Sequence, residues 1–530
     1  MKLLKKMLVT FFAMLGILFA GVMVCCMVLF LMPGKDVFGI GVRYFSHVYN
    51  LKESTDVSIL RTIPKTDAVT HLVIESGFSN VELRYDSSLS SAESRFVKCQ
   101  ANVNVAGFMT NYEEFEEEFK DGKIFSGDKL RTWTSWNYDG TTYTLKLKVV
   151  EPKGFYINNA TTFVFTVPFD FFNSITVSTN SGNITIGDKS DQLLQTNSLT
   201  INNNNMGSTI SLPNISITQL LTVNKQLGRF VFEDNITSAV NINTDSGSFE
   251  FKDVNGTITV KGANPSLRAK TINGNLDFET TSGGTMTIDT VKGALHVESS
   301  AVQANINKML GTVVVISNYG TLNLGTIGEE ADLSTNKVAS FNTGRGTVTI
   351  EKSYMNLQVE TTQGFVVVKD ANKSVDIKTE YGSVDVKFNN DKTGNAINIE
   401  TKNGAVDVEN ITGLANIVST GYSNMNLEFD KVVNNSKIEN RYKHTNLYVP
   451  IDSYKLVLQT QKTNIIDIDV GSISSFDDNL YSNTLPDGTI ETVFGINNYT
   501  GSDCLMKVIC LGTTSDTQIN ILENYNYESK

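Results

Sequence analysis

The sequence predicts an all-β protein: a parallel β-solenoid of about 18–22-residue coils, preceded by one N-terminal transmembrane helix. Three observations predict it. A unit of the form apolar-x-apolar-x-Thr-x-x-Gly-x-apolar-x-apolar recurs seven times, with Thr/Gly pairs at 179/182, 244/247, 281/284, 343/346, 361/364, 379/382 and 401/404. The glycine-to-glycine step is short and nearly constant, 18 residues for 346→364 and 364→382 and 22 for 382→404. A single apolar run stands ahead of all the strand-like sequence.

That run spans Met7 to Met32, 26 residues with Thr10 as its one strongly polar member. As a helix rising 1.5 Å per residue it would reach about 39 Å, enough to cross a bilayer with some tilt. Pro33-Gly34 ends it, Lys2, Lys5 and Lys6 precede it, and Lys35 and Asp36 cancel just after it. The positive-inside bias makes residues 1–6 a cytoplasmic tail, 7–32 a signal anchor and the rest of the chain extracellular. A cleaved signal peptide is the competing reading, but it needs a shorter apolar core and a small-x-small site, which Leu18-Phe19-Ala20 fits poorly.

Residues 33–165 read as an N-terminal β-rich extracellular region without the clean repeat. Alternation is plain from Thr142 to Val150. Tyr112, Phe115 and Phe119 fall at helical spacing among Glu113, Glu114, Glu116, Glu117 and Glu118, which reads as a solvated helix face rather than a metal or catalytic cluster. Both tryptophans of the chain, Trp133 and Trp136, lie here with Tyr138. These three are the candidate ligand-binding residues, a stacking platform for a sugar or a membrane-contacting tip. The alternative is that they pack a hairpin.

Residues 166–470 are the repeat array. Successive strand side chains alternate between faces, so the paired apolar positions form one buried face. From the apolar residue at Thr−2 to the one at Gly+2 is seven residues, so the corner inserts one parity change and the second strand points inward again. Glycine suits such a corner because it tolerates positive φ, and the Thr hydroxyl can bond corner amides. One unit cannot bury its face alone, whereas stacked copies can. A meander of hairpins is the rival architecture, with Asn255-Gly256, Asn273-Gly274 and Asn403-Gly404 as turns. The constant corner favours coils in register. Residues 471–530 keep strand character and form a C-terminal β cap over an otherwise open edge.

The stretch Phe165-Thr-Val-Pro-Phe-Asp-Phe-Phe-Asn-Ser-Ile-Thr-Val-Ser-Thr-Asn-Ser-Gly-Asn-Ile-Thr-Ile186, followed by the Thr/Gly repeats, resembles the bacterial putative-adhesin domain family, cell-envelope β-solenoids, over about 165–470. The resemblance implies binding and supplies no catalytic residues.

Chemistry is sparse. Four histidines, His47, His71, His296 and His444, are far apart, and no zinc spacing, nucleophile elbow, P-loop or calcium-binding repeat occurs. No catalytic, metal or cofactor site is therefore expected, and the chain is read as a non-enzyme. The net charge of −12 becomes about −15 once the +3 of the first 36 residues is removed, which disfavours nucleic acid as a partner. The expected partners are the membrane, through the helix, and a cell-surface glycan, a cell-wall polymer or a cationic peptide. The leading expectation is a membrane-anchored extracellular adhesin-like binding or scaffold protein of a bacterial cell envelope. One alternative is an envelope-stress accessory protein engaging cationic peptides. Another is a polysaccharide-active solenoid enzyme using the outward Asp385 and Asp407.

Overall fold

The computed structural model describes residues 2–30, 36–37, 42–51, 69–89, 97–109, 134–139, 141–149, 154–159, 161–168, 171–187, 194–204, 207–213, 215–450, 455–461, 465–469, 476–496, 505–510 and 517–523. The acidic stretch 113–118 and Trp133 lie outside them. Apart from a helix over Lys2–Phe30 and short 3-10 turns, the described residues form strands. The helix exposes its apolar side chains from Phe11 to Val24. Among the described residues, no helix is long and apolar enough to cross a membrane. Two compact units divide the chain, Met1–Thr237 and Ser238–Lys530.

In the first unit, two rows of parallel strands run side by side. Val69–Ser76 pairs with Ser174–Thr179, which pairs with Leu194–Asn203, which pairs with Ile215–Lys225. The second row is Asn80–Asp86, Ile184–Ile186, Thr209–Leu212 and Leu227–Phe232. Residues 69–86 are thus a full turn of the stack, well ahead of the expected start at 166. Their other side is covered by Thr142–Lys148 and Thr162–Pro168, so the first turn in sequence is the second in space. The division expected at residue 165 falls within the strand Thr162–Pro168. Antiparallel strands close this edge: Lys98–Met109 on Thr162–Pro168, and Thr134–Tyr138 on Thr142–Lys148.

One inward corner position of this unit runs Ser76, Thr179, Asn203, Lys225. Lys225 is fully buried and donates from Nζ to Asn203 Oδ1 at 3.0 Å and Ser208 Oγ at 2.9 Å. With no carboxylate among these partners, burial pushes its pKa down from 10.5 to about 8. Between those values the unfolded chain holds a proton that the folded chain releases. The contribution of Lys225 to stability is therefore complete above pH 10.5 and is lost as pH falls through about 8. Denaturant unfolding across this window should show stability rising with pH, and Lys225→Met should flatten the rise. An unchanged slope would mean the ammonium is not desolvated.

The second unit repeats the two-row pattern over more turns. The chain pairs with itself one turn on, in register: Val240↔Ile258, Ile258↔Leu276, Leu276↔Leu295, Leu295↔Val313. Val313 then pairs with Ala339, 26 residues on, because a 3-10 turn at Glu330–Ser334 lengthens that coil beyond the expected range. The step returns to 18 at Ala339↔Leu357, stays 18 at Val359↔Ile377 and becomes 22 at Ile377↔Ile399. Parallel in-register pairing excludes a hairpin meander for these turns. Along each strand burial alternates, with Val384, Val386, Val406 and Val408 inward and Asp385 and Asp407 outward.

At its far edge this unit also exchanges turn order. Ser436–Asn440 and Thr445–Val449 are covered by Leu505–Cys510 and Gln518–Glu523. These in turn are covered by Lys455–Thr460 and Ile465–Asp469. The antiparallel strands Ile490–Ile496 and Phe476–Thr484 lie beyond Lys455–Thr460.

The corners correct one expectation. Of the seven repeat glycines, only Gly404, at φ 152°, has a positive φ. The others are required by close approach: a Cβ on Gly346 would lie 1.9 Å from Gly320 O, one on Gly364 1.9 Å from Gly346 O, and one on Gly382 1.7 Å from Gly364 O. From Gly346 to Gly404 each corner glycine sits against the carbonyl of the glycine one turn before it, whereas Gly182 abuts Ser79 O and Gly247 and Gly284 are crowded by the Phe249 and Phe278 rings. The inward hydroxyl position forms its own ladder, Thr244, Gly262, Thr280, Ser299, Ser317, Thr343, Thr361, Thr379, Thr401, Ser419 and Asn440. Thr280 holds this place, and the expected Thr281 is exposed. The corner N–H of Gly182, Gly247 and Gly382 donates to Thr179, Thr244 and Thr379 Oγ1 at 2.9, 2.8 and 3.0 Å. The hydroxyls of Thr343, Thr361 and Thr401 have no partner, so their methyl groups carry the packing there.

Candidate binding surface

The register that stacks the glycines also stacks whatever precedes them. Tyr319 pairs with Arg345, and Arg345 with Gln363. The column continues through Tyr381 and Asn403, which directly precede the stacked Gly382 and Gly404. It ends at Tyr422 and Tyr442. Turns rise by about 4.8 Å, so the column is a strip of side chains at regular spacing along one outer corner. Tyr319, Tyr381 and Tyr422 are 53%, 55% and 60% exposed, and Phe365, just after its corner glycine, is 58% exposed. The Arg345 guanidinium lies 5.9 Å from the centre of the Tyr319 ring. The Tyr422 and Tyr442 rings stack 5.3 Å apart at 29°, and the Tyr422 N–H donates to Asn403 Oδ1 at 2.8 Å.

Beside this strip runs an open groove of about 440 Å³ lined by Glu360, Lys378, Glu380, Glu400 and Lys402. Lys402 bonds Glu380 at 2.9 Å, which raises the lysine pKa, and Lys378 lies 3.9 Å from Glu400. Opposite charges alternate from turn to turn, so the groove is polar and close to neutral.

A second groove, of about 630 Å³, opens on the strand row that carries Val338, Leu357, Asp376, Asn398, Leu414 and Asn416. Asp376, Asn398 and Asn416 form a ladder with links of 2.7 Å. The inserted 3-10 turn is pinned by Asp332, which accepts from the Glu329 N–H at 3.0 Å and pairs with Lys337 at 2.6 Å. Burial of Asp332 opposes ionisation, yet these bonds hold its pKa below the usual value.

Among the residues expected to bind, Tyr138 is half exposed and stacks on Tyr143, with ring centres 4.2 Å apart at 22°. Its hairpin is fixed by Asp139, whose carboxylate accepts from the N–H groups of Thr141 and Thr142 at 2.9 and 2.7 Å. Trp136 pairs with Leu145 through the backbone, and its side chain lies outside the described residues. The sequence reading missed the strip in the second unit. Its signal was the residue before each corner glycine, where Tyr319 and Tyr381 stand.

Asp385 and Asp407 pair in register on the opposite row. Burial and Glu409 raise the Asp385 pKa; burial and Asp385 raise that of Asp407, against a hydrogen bond from Asn426. A raised folded pKa means stability that is present at low pH and lost as pH rises through it. Asp407→Asn should therefore stabilise the protein at neutral pH by about 0.2–1 kcal/mol, the usual size of a facing like-charge penalty. The gain should vanish on acidification below the carboxylate range. A gain independent of pH would remove charge repulsion as its cause. Among the described residues, no group of three or more His, Cys, Asp or Glu converges as a metal site. His71 Nε2 lies 2.9 Å from Thr176 Oγ1, and burial lowers its pKa.

Residues 69–312 match the family model described as Toastrack DUF4097, in line with the adhesin-like resemblance expected from the repeat. The match begins at the first parallel strand, ahead of the residue-165 start expected from sequence. Among solved structures, a "putative cell adhesion protein" from Clostridium sporogenes ATCC 15579 aligns at 7% identity, covering 91% of this chain and all of that one, with a TM-score of 0.13. A superposition of that score carries no argument. No curated protein matches the chain.

Proposed function

We propose that this chain is an adhesin-like binding or scaffold protein of a bacterial cell envelope, acting without turnover. The observation that carries this reading is the exposed aromatic strip on a rigid stack of in-register turns, and the Toastrack match supports it. Regular coils hold side chains at fixed spacing, which suits recognition of an extended partner. The apolar run from Met7 to Met32 and its flanking Lys2, Lys5 and Lys6 support anchorage by the N-terminal helix, with the bulk of the chain outside.

The acidic surface favours a second reading, engagement of cationic peptides, with Asp385, Asp407 and Glu409 clustered on one row. Salt separates the two. Detergent-solubilised full chain should sediment with bacterial envelope fragments, and retention at high ionic strength supports the adhesin-like reading. Loss of retention on adding salt supports the peptide reading, because exposed charges are screened beyond a Debye length. Failure to sediment at any salt concentration overturns both.

A further inference from the structure

We propose that the corner strip of the second unit binds an uncharged, extended polysaccharide laid along the stack, with Tyr381 and the stacked Tyr422–Tyr442 pair as its principal aromatic contacts. This rests on the binding reading above and adds the site and the ligand class. Tyr381 and Tyr422 lie two turns apart, about 10 Å at the parallel-strand spacing. Between them stands Asn403, whose side-chain oxygen orients the Tyr422 backbone. Next to Tyr381, toward Tyr319, come Gln363 and Arg345. The strip therefore intersperses aromatic rings with amide and guanidinium groups.

Sugar rings ask for that combination. Each pyranose offers an apolar C–H face to an aromatic ring and a rim of hydroxyls to hydrogen-bonding groups. An extended β-1,4-linked chain advances by roughly one strand spacing per residue. Successive sugars can then meet successive turns without strain, and every second sugar presents the same face. Tyrosine suits the task because its ring stacks while its hydroxyl stays solvated.

The neighbouring groove argues against other polymers. Glu360, Glu380 and Glu400 interleave with Lys378 and Lys402, and the pairs largely cancel. A nucleic acid or a polyanionic polymer would find no continuous positive track. A strongly cationic peptide would meet the two lysines as well as the acids. An uncharged chain pays no such penalty and can use the same groups as hydrogen-bond partners.

Binding of β-1,4-linked hexasaccharides of glucose and of N-acetylglucosamine to the detergent-solubilised full chain tests this by calorimetry. Saturable binding of at least one is expected, with the matching disaccharide clearly weaker because it spans only two turns. Tyr381→Ala and Tyr422→Ala should each weaken binding about tenfold, which is about 1.4 kcal/mol. Both side chains are more than half exposed, so thermal melting should change little, the larger drop falling to Tyr422→Ala, which also loses its stack on Tyr442. Phe78→Ala, at a 52% exposed side chain in the other unit, should bind like the parent. Unchanged affinity in the Tyr381/Tyr422 double variant overturns the site. Absence of hexasaccharide binding, with sedimentation on envelope fragments retained, overturns the ligand class and leaves the binding reading standing. In that case a protein partner takes the sugar's place. Loss of both overturns the binding reading as well.

Discussion

Gly382→Val is expected to destabilise the second unit by more than about 3 kcal/mol, at or beyond the usual range for overpacking. Its Cβ would lie 1.7 Å from Gly364 O and 2.8 Å from Gly364 C. Both atoms are backbone, held by pairing on each side, so no side-chain rotation can relieve the contact. Two adjacent turns would have to separate, and the Gly382 N–H bond to Thr379 Oγ1 would be lost with them. Urea unfolding reads the effect as a shift in midpoint. Gly207→Val is the control, since a Cβ there meets nothing within 4 Å. Equal midpoints for the two variants would show that the corners do not set the turn spacing.

Val384→Asp is the second large effect, about 3–5 kcal/mol, the cost of an uncompensated buried charge. Val384 is 1% exposed and stacks between Val366 and Val406 in adjacent turns. No cation faces inward from either. Much of the loss should return at low pH, when the new carboxyl is neutral, although burying it unpaired still costs something. The native Asp385, one residue on, points outward, and Asp385→Val should leave folding intact. If Val384→Asp and Asp385→Val gave similar stabilities, the inward and outward faces would be misassigned.

The inward faces were legible because period-two alternation is a local signal, and Val384, Val386, Val406 and Val408 carry it without help from context. The repeat period was legible for the same reason. The role of the glycines was not. Positive φ is a property of one residue, whereas the contact between Gly382 and Gly364 exists only once turns stack. The turn at 69–86 escaped notice because its corner is Ser76-Gly-Phe-Ser79 rather than Thr-x-x-Gly. There Ser76 Oγ donates to Ser79 O at 3.0 Å. Of the expected binding residues, Tyr138 could be read as part of a hairpin. The strip from Tyr319 to Tyr442 offered only Tyr319 and Tyr381 ahead of their glycines; Arg345, Gln363 and Asn403 share no chemistry that a sequence pattern selects, and only the register aligns them with those tyrosines.

The exchanged order of the edge turns bears on how the stack would yield to a pull. Where turns follow sequence order, traction on a terminal strand unzips one turn after another, each rupture loading only the next. In the second unit the strands Leu505–Cys510 and Gln518–Glu523 are gripped on both sides, by Ser436–Val449 and by Lys455–Asp469. Drawing them out must break two ladders at once, in shear along the strands. The same holds for Val69–Asp86 in the first unit, between Thr142–Pro168 and Ser174–Ile186. Each edge thus works as a buckle: the segment that would be tugged is held between two other turns of its own chain, and tension meets its greatest resistance where a simple coil would begin to fray.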